Sequence, residues 1–159
     1  VDPVIHQGMV VSSTCLRGMI RSGDVAGAAR LLPHPFRLQG PVVHGMSRGR
    51  TLGFPTANIR PDKSLLPAYG VYAVQVHLGK QAYPGVANIG DNPTFGDEGV
   101  SLEVFIFDFQ GDIYGSELMV EFIERLRDEI RFENKGQLIA QIEKDCRDAR
   151  TILGMRARS

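Results

Sequence analysis

The chain has 159 residues, 43% of them hydrophobic, with 18 lysines and arginines against 18 aspartates and glutamates. That length supports one principal core, and the balanced charge excludes the broad electrostatic footprint of a protein that coats nucleic acid or an anionic membrane. No apolar run approaches the ~18 residues of a membrane span and no basic-then-apolar leader is present, which predicts a soluble, cytoplasmic protein whose phosphate chemistry, if any, is local.

In chain order, the start at Val1 rather than Met is expected of a processed or excised piece. Ser13 is placed to cap a short helix carrying Leu16, Met19 and Ile20, with Gly23 at its end. Asp24 is placed to cap a second helix through Leu32, which Pro33 and Pro35 stop. From Phe36 to Glu124 short β-rich runs alternate with Gly, Pro, Asn and Asp, predicting strands near 37–45, 56–60, 70–78, 82–89, 101–109 and 117–123. Such a series suggests a small antiparallel barrel, mainly β and closed or nearly so. The final third predicts a helix capped by Asn134, with Leu138, Ile142, Ala149 and Leu153 as its apolar stripe and Gly154 at its end. Cys15 and Cys146 fit no zinc spacing and are expected as buried free thiols, Cys146 on that stripe.

Four segments offer chemistry. "GMSRGRTLGFPTAN" (45–58) is too rich in Gly and Pro for regular structure and lacks the lysine of a P-loop, yet its backbone amides suit an anion. Just after the stiff Pro55, Thr56 and Asn58 are two oxygen donors at i and i+2, on one side of an extended chain; they suit Mg²⁺ with nucleotide phosphates, or else are ordinary turn residues. "VANIGDNPTF" (86–95) reads as a tight loop in which Asn92, Thr94 and Phe95 either meet a ligand or simply connect strands. In "SLEVFIFDFQGDIYG" alternation puts Leu102, Val104 and Ile106 on one face and Glu103, Phe105, Phe107 and Phe109 on the other. Among phenylalanines Glu103 is a candidate general base with an upward pKa pressure; at a barrel rim it is an exposed carboxylate. Asp108 and Asp112 flank Gly111 as turn residues. "ERLRDEIRF" offers Arg127 or Arg131 to an anion, or forms a solvated charged face.

Together "GPVVHGMSRGRTLGFPTANI", "GVYAV", "ANIGDNPTF", "LEVFIFDFQGDIYG", "IERLRDEIRF" and "QIEKDCRDAR" resemble, in order, the motifs of riboflavin kinase in its bacterial form, the C-terminal module of bifunctional FAD synthetase. The resemblance covers about residues 36–153. It implies a six-stranded antiparallel barrel with a C-terminal helix, transferring the ATP γ-phosphate to the terminal ribityl hydroxyl of riboflavin to give FMN, with Mg²⁺ as cofactor. It further implies that Thr56 and Asn58 hold Mg²⁺ and phosphates, and that Gly45, Ser47, Arg48, Gly49, Arg50 and Gly53 form a phosphate-side flap. Glu103 would take the hydroxyl proton, and Arg127 would lie near the flavin, whose broad ring a mouth lined by Phe, Leu and Ile would receive. "VVSSTCLRGMIRSGDVAGAARLL", with Ser12, Ser13, Thr14 and Arg17, resembles the tail of the preceding adenylyltransferase module. Residues 1–35 are therefore expected as a remnant of that module with two short helices, residues 36–159 as the kinase domain, and no FAD synthesis is expected from this chain.

Overall fold

The computed structural model describes residues 4–6, 9–43, 56–62, 65–91, 100–109 and 111–154. It opens with a hairpin of β1 (Val4–His6) and β2 (Met9–Val11), which the sequence patterning does not suggest. Helix α1 (Ser13–Ser22) has its cap one residue earlier than expected, because Ser12 rather than Ser13 accepts from the Cys15 amide, at 3.1 Å. Gly23 ends it at φ 92, a left-handed conformation that a side chain disfavours. Asp24 caps α2 (Val25–Leu31) by accepting from the Gly27 amide at 2.9 Å.

Six strands follow: β3 (Phe36–Val43), β4 (Ala57–Ile59), β5 (Gly70–Leu78), β6 (Gln81–Asp91), β7 (Val100–Ile106) and β8 (Glu117–Arg127). They close into a barrel in the order β3-β4-β7-β6-β5-β8, every neighbouring pair antiparallel. Closure brings β3 and β4 so near that a Cβ at Gly40 would run into the Arg60 carbonyl.

Inward-facing side chains fill the barrel. Leu38, Ile59, Val74, Val76, Leu102, Val104, Leu118 and Val120 are each no more than 1% exposed. The interior is therefore a packed core, and a ligand has to bind outside it. Helices α1 and α2 extend that core by burying Ile20, Val25 and Ala28 with Phe36, Tyr72 and Phe122. Cys15, expected to be buried, is exposed: α1 turns Leu16, Met19 and Ile20 to the barrel and Cys15 away.

Helix α3 (Lys135–Ile152) covers part of the outside of the barrel. Its Ala149, with Cys146, Ile152 and Leu153 nearby, packs on Val71, Ala73, Val86 and Phe107. Strand β5 is buried on both faces for this reason, and the short side chains of Val71 and Ala73 let the helix approach. Burial pushes the Cys146 thiol up to about 11, so it is a packing group and not a nucleophile. Asn134 caps α3 through the Gln137 amide at 2.9 Å, and Gly154 follows it at φ 76.

Candidate active site on the barrel wall

Cross-strand register composes the site. Asn58 on β4 lies opposite Glu103 on β7, Glu103 opposite Asn88 on β6, Asn88 opposite Val71 on β5, and Val71 opposite Arg127 on β8. Directly opposed residues of antiparallel strands share a face, so these five form one row across the wall. Their sequence neighbours Ile59, Leu102, Val104, Ala87 and Ile89 belong to the inner core, so the row faces outward.

Thr56, just ahead of β4, donates its hydroxyl to Glu103 Oε1 at 3.3 Å. Asn58 is only 4% exposed, and its Oδ1 is buried without a hydrogen-bond partner among the described residues. Asn88 Oδ1, on the other side of Glu103, is in the same condition. An unpaired buried acceptor costs roughly 1–3 kcal/mol, and native structures keep few of them without a use. Thr56 Oγ1, Asn58 Oδ1 and the Glu103 carboxylate are hard oxygen atoms, the donor type that Mg²⁺ takes. The residues therefore fit the ion expected from the sequence.

Of the phenylalanines that follow Glu103, two are engaged with each other and with α3. Phe105 and Phe107 meet edge to face at 5.8 Å, and Phe107, 2% exposed, lies beneath α3 with the Arg150 guanidinium 4.2 Å from its ring centre. Strand β7 ends at Ile106 rather than at 109, because Asp108 turns the chain at φ 54. Phe109 thus leaves the Glu103 face and packs edge-on to Tyr83 at 5.1 Å beside the inner core. Asp108 and Asp112 are turn residues, Asp112 accepting from the Tyr114 amide at 3.0 Å.

Strand β8 continues past its expected end at 123, staying paired to β5 through register shifts that deliver Arg127 to the row. Its guanidinium is taken up by the buried Asp145 of α3, with Nε 2.9 Å from Oδ1 and Nη2 2.8 Å from Oδ2. Gln141 donates to the same carboxylate at 2.9 Å. Beside this pair an open groove of about 470 Å³ runs along α3, walled by Ile130, Phe132, Ala140 and Gln141 and edged by Arg131, Lys144 and Arg147. Glu129 covers Gly90 nearby. Burial pushes its carboxyl up, the charge of Asp91 adds to this, and Arg127 and Arg131 oppose it.

The family model for Flavokinase, described as riboflavin kinase, matches residues 32–153, most of the chain. The chain belongs to the riboflavin kinase family. The bifunctional riboflavin kinase/FMN adenylyltransferase of Listeria monocytogenes is 44% identical over 144 residues, 89% of this chain and 46% of that protein. The protein of the same description from Escherichia coli K12 is 43% identical over 149 residues, 93% of this chain and 48% of that protein. The chain thus spans about half the length of the curated relatives it matches. Among solved structures, a protein described as a macrolide-efflux protein from Streptococcus pneumoniae superposes with TM-score 0.84 at 42% identity, over 94% of this chain and 50% of that one. Riboflavin kinase from Trypanosoma brucei superposes with TM-score 0.54 at 25% identity, over 74% of this chain and 79% of that one. No helix among the described residues is long and apolar enough to cross a membrane.

Of the residues that the resemblance to riboflavin kinase marks, Thr56, Asn58 and Glu103 are brought together, and Arg127 joins their row but is held by Asp145. Gly45, Ser47, Arg48, Gly49, Arg50, Gly53 and Pro55, and Asn92, Thr94 and Phe95, lie outside the described residues. Two further residues escape the sequence patterning. Asn88 is legible only as the polar position between apolar Ala87 and Ile89. Asp145 lies on the apolar stripe of α3, between Ile142 and Ala149, where an acid signals a buried partner.

Proposed function

We propose that this chain transfers the γ-phosphate of ATP to the terminal ribityl hydroxyl of riboflavin, giving FMN and ADP. The observation that carries this reading is the Asn58 amide oxygen, buried and without a donor among the described residues, beside Thr56 and Glu103. Glu103 accepts the hydroxyl proton as the oxygen forms its bond to phosphorus, and the bond from phosphorus to the ADP oxygen breaks. Phosphoryl transfer needs positioning and charge neutralisation more than covalent help from the protein. Mg²⁺, held by Thr56 Oγ1 and Asn58 Oδ1, supplies that neutralisation when bound. The groove beside Phe132 and Ile130 offers the apolar wall a flavin ring needs.

The curated relatives are bifunctional by description, and we propose that this chain works beside an adenylyltransferase module that would use its FMN. Dependence on ATP and riboflavin fits a cytoplasmic enzyme. Incubation with riboflavin and Mg-ATP, followed by chromatography, tests the reading. FMN formed in step with ADP supports it, whereas tight retention of added FMN without turnover marks a flavin-binding barrel instead.

A further inference from the structure

The polar atoms of the row outnumber what the reaction centre itself uses. Asn58 and Glu103 serve phosphate and proton, and Arg127 is engaged by Asp145, but Asn88 has no task in that scheme. Its Oδ1 is nevertheless buried with no partner among the described residues. A purely structural amide at this position would have found a backbone or side-chain donor, as Asn134 does at the start of α3. The atom accepts only, so it calls for a ligand that donates.

Position narrows the choice. Neighbouring strands are about 4.8 Å apart, so Asn88 stands one strand beyond Glu103, on the side away from Asn58 and toward Val71, Arg127 and the groove. On the proposed reading, the acceptor's reacting hydroxyl lies at Glu103 and its ring on the far side of Asn88, in the direction of Arg127. The chain between them passes Asn88, and the donors such a chain carries are hydroxyls.

We infer that Asn88 is a substrate-binding and specificity residue: its side-chain oxygen accepts a hydrogen bond from an internal hydroxyl of the polyol chain whose terminal hydroxyl is phosphorylated. The site thereby selects a polyhydroxylated chain over a plain alkyl alcohol of the same length. The inference rests on the kinase reading given above.

A double-mutant cycle tests it, with the whole chain and its Asn88→Leu and Asn88→Ser variants. The two substrates are riboflavin and a flavin bearing a 5-hydroxypentyl chain, which keeps the terminal hydroxyl and lacks the internal ones. Asn88→Leu is expected to raise the KM for riboflavin about three- to tenfold, the span of one neutral hydrogen bond, with the KM for ATP and the Mg²⁺ dependence unchanged. With the hydroxypentyl flavin, the parent and the variant should have equal KM values. Asn88→Ser, which leaves room for water, should follow the same pattern and carries the test if the Leu variant does not fold. Equal losses on both flavins, no loss on riboflavin, or a shift in Mg²⁺ dependence in place of riboflavin KM would each overturn the assignment. If the parent chain phosphorylates neither flavin, it is the kinase reading that has failed. If it phosphorylates riboflavin and the cycle shows no coupling, it is the role of Asn88.

Discussion

Asn58 combines two properties that rarely coexist, a side chain 4% exposed and an amide oxygen with no donor among the described residues. Its backbone is fixed from both sides, since β4 pairs with β3 through Val43 and with β7 through Glu103. The side chain is thus held in place with its oxygen unpaired among the described residues, as the proposed metal ligand would be. Asn58→Ala should therefore abolish most phosphoryl transfer and raise the Mg²⁺ requirement without lowering the thermal midpoint, because it deletes an unsatisfied acceptor rather than a bond. Turnover assayed across a Mg²⁺ titration, alongside thermal denaturation, checks this; unimpaired turnover at saturating Mg-ATP would remove Asn58 from the site. Asn58 is legible in the sequence itself, as a polar residue two positions from Thr56 after a rigid Pro55. Asn88 is not, because one asparagine in a strand of "VANIGD" looks like turn chemistry until its partner Glu103 is known.

At the scale of elements, α3 is joined to the barrel by one buried ion pair and a patch of small apolar contacts. Arg127 is 17% and Asp145 5% exposed at the side chain, and removing one partner of such a pair leaves an uncompensated charge. Asp145→Ala should accordingly destabilise the fold by roughly 3–5 kcal/mol, measured by denaturant unfolding, and loosen the groove beside Phe132. A loss below about 1 kcal/mol, typical of an exposed pair, would mean that the helix is held by its apolar contacts alone. Strand positions follow from punctuation and period-two patterning, and α3 from its cap at Asn134. What the sequence hides is the sidedness of the wall. Alternation separates Glu103 from Leu102 and Val104 but does not say which face is inside a barrel, so it does not show that two of the phenylalanines seat a helix. Likewise Asp145 shares the stripe with Cys146, a matter of one residue that only the packing against Arg127 decides.

Taken as a whole molecule, the barrel puts the Thr56, Asn58 and Glu103 cluster and the Glu121 clamp on different strands of the wall. Glu121 on β8 binds Arg37 of β3 at 2.7 Å and His77 of β5 at 2.9 Å, tying three strands together. Burial pushes its carboxyl up, but the hydrogen bonds and charges of His77 and Arg37 outweigh this and hold it below its ordinary value. A carboxyl with a lowered folded pKa contributes stability above its unfolded pKa and loses it as pH falls through the folded value. The stability gap between the parent and Glu121→Gln should therefore be widest near neutral pH and close on acidification below about pH 4. Urea unfolding at a series of pH values measures it, and a gap independent of pH would show that the clamp is not ionic. None of this should touch the proposed reaction, whose candidate residues stand on the opposite side of the strand order at β4, β7 and β6. The most direct test of that placement is single-turnover phosphorylation of riboflavin, with Mg-ATP saturating, by the parent and by Glu103→Gln. General-base catalysis contributes roughly 10²–10⁴-fold, so the variant should bind both ligands as the parent does and transfer phosphate slower by about that factor. Transfer at the parent's rate, with both ligands bound, would contradict the assignment of Glu103 as the base.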